Sequence, residues 1–127
     1  MEKRIILVVA DRNQADKLGR ILQAHHYATQ HLQSLQKFEY PPENDPLVVV
    51  VIDLDTIALS NFDVRNFKRA NPNVPLLVIS DKSFHPDLRE SIRSHIFACI
   101  SKPVDPDELI FLLNGAFESN AASIHSR

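Results

Sequence analysis

The chain has 127 residues, 44% apolar and 24% charged, with a formal net charge of −2; this supports one domain with one substantial core and gives no basic footprint for direct nucleic-acid binding. A single cysteine, Cys99, excludes an internal disulfide framework and fits a reducing cytoplasm, while two glycines, Gly19 and Gly115, leave no P-loop or dinucleotide fingerprint. No apolar run approaches a membrane span, and the opening MEKRIILVVADR lacks a signal-peptide cleavage pattern, so a cytoplasmic, non-membrane protein is expected.

In chain order, Lys3 to Ala10 reads as a strand apolar on both faces. Asn13 to His26 has helical spacing, with Ala15, Leu18, Gly19 and Leu22 on one side. Gly19 on that inward side predicts a close approach to a sheet, and His25-His26 at the helix end suits the helix dipole. Tyr27 to Gln33 is a weaker, more polar strand suited to a sheet edge. Ser34 to Tyr40 is expected to form a short second helix before the loop PPEND. Leu47 to Asp53 is a strand with six apolar residues in a row, ending on an acid.

Ser60, with Asp63 three residues on, marks a capping box at the start of a third helix, which ANPNVP ends. Leu76 to Ser80 is another buried strand. His85 to Ser94 gives a short fourth helix with only Leu88 and Ile92 clearly inward. Phe97 to Ile100 is the fifth strand, with Cys99 expected as a small buried hydrophobe. Asp105, Pro106 and Glu108 form a strong helix start. Leu109, Leu112, Leu113, Ala116 and Phe117 give this fifth helix its core stripe, with Ile110 and Phe111 beside it as extra core or as part of a partner-binding face. Residues 120–127 are small and polar, and the expectation is a frayed tail after a domain of residues 1–119.

Strands alternating with helices, three of them apolar throughout, predict an α/β fold with a doubly wound, five-stranded parallel sheet covered on both faces. In such sheets ligands bind outside the carboxyl ends of the strands, where strand order reverses. The residues at those ends are Asp11, Asp53, Ser80 and Lys102. With strand order 2-1-3-4-5, two acids, a hydroxyl and a lysine meet on one rim. Carboxylates there suit a hard cation such as Mg²⁺, the hydroxyl and ammonium suit phosphoryl oxygens, and a carboxylate is itself a competent nucleophile toward phosphorus.

The segments ILVVADR, VVVVIDLD, PLLVIS and ISKPVDPDEL, in this order and with these gaps, resemble the response-regulator receiver domains of two-component signalling (the CheY-like family). The resemblance runs from Lys3 to about Ser119. It implies a flavodoxin-like fold with Asp53 as phosphoacceptor and Asp11 and Asp53 as Mg²⁺ ligands, completed by the backbone carbonyl of Asp55. It implies that Lys102 and Ser80 contact the phosphoryl group and that the Lys102–Pro103 peptide is cis. Asp53 lies 27 residues before Ser80 and Asp55 lies 25 before it; the family's usual separation selects Asp53 as acceptor. Asp55 is expected to contribute a main-chain oxygen and not its side chain.

Four features depart from the family pattern. Ala10 stands where a second acid is usual, which predicts weaker Mg²⁺ binding. The loop LDTIALSNFD after Asp53 lacks the usual proline and glycine, and Cys99 replaces the usual switch aromatic. Ser94-His95 stands where glycine is common, which predicts mild positive-φ strain.

The resemblance implies a receiver phosphorylated by a histidine kinase or phosphotransfer protein, with no catalysis beyond its own phosphorylation and dephosphorylation. Its output passes to a downstream effector or a homodimer through the fourth helix, fifth strand and fifth helix. The alternative is a receiver-like interaction module that is never phosphorylated.

Overall fold

In a computed structural model, the structure describes residues 2–41, 46–82 and 85–125, and only the backbone of 123–125. Most of the loop PPEND and the last two residues of the expected tail lie outside the described residues. The elements are β1 (Lys3–Val8), α1 (Arg12–Ala24), β2 (Ala28–Leu32), β3 (Leu47–Asp53), α2 (Asn61–Ala70), β4 (Leu76–Ser80), α3 (Arg89–Ser94), β5 (Ala98–Ser101) and α4 (Pro106–His125). The expected second helix is reduced to one 3₁₀ turn, Leu35–Lys37, whose Ser34 N-cap makes no side-chain capping bond. A second 3₁₀ turn, Pro86–Leu88, leads into α3. The expected fourth and fifth helices are therefore α3 and α4.

The five strands form one parallel sheet ordered β2-β1-β3-β4-β5. Alternating side chains divide its core between two faces. Ile5, Leu7, Val49, Val51, Leu77 and Ile79 pack with Ala15, Leu18 and Leu22 of α1 and with Leu109, Leu113, Ala116 and Phe117 of α4. Ile6, Val8, Val48, Val50, Ile52, Leu76 and Val78 pack with Val64 and Phe67 of α2, and with Leu88 and Ile96. Every residue of β3 is buried, so its carboxyl end has no choice but to emerge at the rim.

Local chemistry sets the helix boundaries. Asp11 caps α1, its Oδ1 accepting from the Asn13 and Gln14 amides at 2.8 and 3.4 Å. Ser60 and Asp63 form the expected capping box of α2. Asp105 accepts from the Asp107 amide at 2.9 Å at the start of α4. α2 and α3 are tied by Asn61, whose Oδ1 accepts from the amide and hydroxyl of Ser91.

Several expectations are corrected. A Cβ added to Gly19 would meet nothing within 4 Å, so this glycine marks no close approach to the sheet. His95 has φ −131°, and the one positive φ among the described non-glycine residues belongs to His26 (66°), just beyond the α1 C-cap. Cys99 is exposed, because β5 is a short edge strand with only Ile100 buried. The frayed tail gives way to a helix continuing to His125. Asn120 within it is buried, accepting from the Val48 amide at 2.9 Å and donating to the Asn73 carbonyl at 2.6 Å. β4 begins only opposite Val50, so the Val48 N–H lies beyond the reach of the ladder and Asn120 supplies its acceptor.

Candidate functional site

Strand register assembles the rim. The reversal of strand order falls between β1 and β3, whose ends are aligned by the pair Val8↔Ile52. Asp53 pairs with Ile79, which puts Ser80 one residue further out on β4, and Ser80 pairs with Ser101, which puts Lys102 next in line. Thus the residues read as phosphoacceptor, hydroxyl and lysine reach one edge through three adjacent strands.

Asp53 is 0% exposed. A buried carboxylate needs a partner, and the Lys102 ammonium lies 3.0 Å from its Oδ1 and 3.2 Å from its Oδ2. The Asp55 amide also donates to Oδ1 at 3.0 Å, so the turn after β3 braces Asp53. The Lys102–Pro103 peptide is cis.

The side chain of Asp55 enters the site, correcting the expectation that only its main-chain oxygen would. Its Oδ2 lies 2.8 Å from Lys102 Nζ and accepts from the Asp81 amide at 3.0 Å, while Oδ1 accepts from Ser80 Oγ at 3.3 Å. Burial pushes the Asp55 carboxyl up, but hydrogen bonds from Lys102 and Asp81 and the lysine's charge outweigh it and hold the pKa at about 2. Burial pulls Lys102 down, and its bonds to Asp55 and Asp53 and their charges reverse this, leaving its pKa raised. One ammonium therefore serves two carboxylates. Ser80 Oγ in turn accepts from the Lys82 amide at 3.0 Å.

On the β1 side, the Ala10 amide donates to Thr56 Oγ1 at 3.0 Å, fastening the loop after β3 to the loop after β1. Asp11 is exposed at this end and engaged as the α1 cap. Among the described residues no three His, Cys, Asp or Glu side chains gather as a metal-holding group. Ala10 stands in place of an acid and the Asp55 side chain turns to Lys102, so the carboxylates left for a hard cation would be Asp11 and Asp53; Mg²⁺ binds through as few as one or two carboxylates and keeps several waters.

Sequence spacing located Asp53, Ser80 and Lys102 but missed the side-chain role of Asp55 and the Thr56 clasp. Both lie in the turn beyond the last residue of β3, where strand periodicity gives no signal.

Neither a family model nor a curated protein matches the sequence. Solved structures do match the fold. The CheY-like response-regulator receiver domain protein from Methanospirillum hungatei JF-1 is 17% identical with a TM-score of 0.79, covering 97% of this chain and 99% of that one. The signal receiver domain of an HD domain-containing protein from Pseudomonas fluorescens Pf-5 is 16% identical with a TM-score of 0.77, covering 96% and 99%. NtrX from Brucella abortus is 21% identical with a TM-score of 0.77; 99% of this chain matches 29% of that longer protein. The chain has the flavodoxin-like fold of response-regulator receiver domains.

Proposed function

We propose that the chain is a cytoplasmic phosphoacceptor receiver in a two-component phosphorelay, charged at Asp53 by a histidine kinase or phosphotransfer protein. The observation that carries this reading is the fully buried Asp53 paired with Lys102 and flanked by Ser80, at the switch point of a receiver fold.

In the proposed reaction an Asp53 oxygen attacks the phosphorus of a phosphohistidine. An O–P bond forms as the N–P bond breaks, and the imidazole leaves with the electron pair and takes a proton from water. Lys102 stays within reach of the oxygens that gain charge and stabilises them. Mg²⁺ would be held by Asp11, Asp53 and the Asp55 main-chain carbonyl, and would supply charge neutralisation at the transferring oxygens. One carboxylate fewer at Ala10 implies weaker metal affinity. Ser80 would then bond the phosphorylated aspartate, biasing the face built from α3, β5 and α4 toward a downstream effector or a second copy.

The alternative, a constitutive docking module that is never phosphorylated, is favoured by Ala10 and by the Thr56 clasp beside it. Incubation with phosphoramidate and Mg²⁺ followed by intact-mass measurement separates the two. One phosphoryl adduct is expected on the wild-type chain and none on Asp53→Asn. A wild-type chain that stays unmodified overturns the phosphoacceptor reading.

A further inference from the structure

The Asp55 carboxylate makes three polar contacts, two of them with Lys102 and Ser80, the groups assigned to a phosphoryl on Asp53. The three partners are the Lys102 ammonium at 2.8 Å, the Asp81 amide at 3.0 Å and the Ser80 hydroxyl at 3.3 Å. All are donors, and they converge on one small anion beside the acceptor carboxylate. We propose that Asp55 is the resident anion of this site: its carboxylate occupies the phosphoryl contacts while Asp53 is unmodified, and an incoming phosphoryl group must expel it. The proposal rests on the phosphoacceptor reading of Asp53 and adds the regulation of that same site.

The geometry explains why Asp55 is the mobile member. Asp53 is fully buried at the end of a strand that is buried throughout, so its carboxylate cannot leave the site. The Asp55 side chain is 18% exposed and sits in the turn beyond β3, where rotation of its side chain reaches water. Its amide bond to Asp53 Oδ1 is a main-chain contact, independent of where the carboxylate points. A phosphoryl group brings about −1.5 to −2 charges and three acceptor oxygens to donors already bonded to a carboxylate. Two anions cannot share these donors at close range, and the one with access to solvent is displaced. Asp55 is thus a positioning residue: it holds Lys102 and Ser80 in place beforehand, opposes phosphoryl entry, and retakes the donors when the group departs.

Beryllofluoride, a phosphoryl mimic, tests this in the presence of saturating Mg²⁺. Calorimetric titration of Asp55→Asn, and of Asp55→Ser should the first variant unfold, is expected to give roughly tenfold tighter binding than wild type, the size of one relieved charge-assisted contact. Both substitutions keep the main-chain carbonyl assigned to the metal. Asp107→Asn removes the same charge from the start of α4 on the same rim and is expected to change the affinity less than about twofold, by screening. In the unaltered chain, the Asp81 amide resonance is expected to move on saturation as it exchanges one acceptor for another. Wild-type binding with no gain on either Asp55 substitution overturns the inference alone, as does an equal gain from Asp107→Asn or an unmoved Asp81 resonance. Absence of binding in every form overturns the inference together with the phosphoacceptor reading. Binding that appears only after Asp55 is replaced overturns the phosphoacceptor reading of the unaltered chain and, with it, the expulsion of Asp55 by an incoming group.

Discussion

Asp53 and Lys102 show how a single side chain can hold two acids in place. Lys102 is 22% exposed and bonds both carboxylates, one of them fully buried. Replacing it by methionine keeps much of the stem but leaves Asp53 as a buried charge without its cation. Breaking a buried pair costs about 3–5 kcal/mol, and the partial exposure of Lys102 brings the expectation down to about 2 kcal/mol. Urea unfolding is expected to show that loss for Lys102→Met, with much of it recovered when Asp53→Asn is added. A loss below about 0.5 kcal/mol would mean the pair is solvated enough to be unimportant for folding. The pairing was legible in the sequence because both residues lie at strand ends, where spacing translates directly into position. The Asp55 side chain was not legible: it follows the last strand residue, where a turn and a rotamer decide direction and no periodicity applies.

At the scale of elements, the apolar stripes foretold α1 and α4, and the capping residues foretold where α2 and α4 begin. The failures were of two kinds. Ser34 to Tyr40 was too short and too poorly capped to pass one 3₁₀ turn. Residues 120–125 looked like a tail because composition outweighed spacing. Continuing the stripe from Leu109, Leu113, Ala116 and Phe117 by the same helical step arrives at Asn120, a polar residue in a core position. Its bonds to Val48 and Asn73 explain why asparagine sits there. Asn120→Ala orphans the buried Val48 N–H and is expected to cost about 1–3 kcal/mol in urea or thermal unfolding. A neutral substitution would show that water replaces the side chain.

Across the whole molecule, the alternating pattern of fully apolar strands made the parallel sheet readable, and the convergence of three strand ends followed once the resemblance supplied the order 2-1-3-4-5. The thin edge was less readable. β5 has four residues, one of them buried, and α3 has six, whereas β3 is buried from end to end. Local stability should follow that gradient. Hydrogen exchange is expected to be slowest at the amides of β1 and β3 and fastest among regular elements at α3 and β5. Equal protection of α3 and β3 would refute it. The same gradient places the exposed Phe97 and Phe111, 42% and 75% accessible, on the easily rearranged side.

Asn120 also dictates an order of events during synthesis. The strand that ends on Asp53 finds the acceptor for its Val48 amide on a residue 72 positions later. At about 5–20 residues per second, roughly 4–14 s pass between the emergence of one partner and the other. β4 can cover Val50 to Asp53 well before then, but the Val48 N–H at the start of β3 stays without its acceptor until α4 arrives.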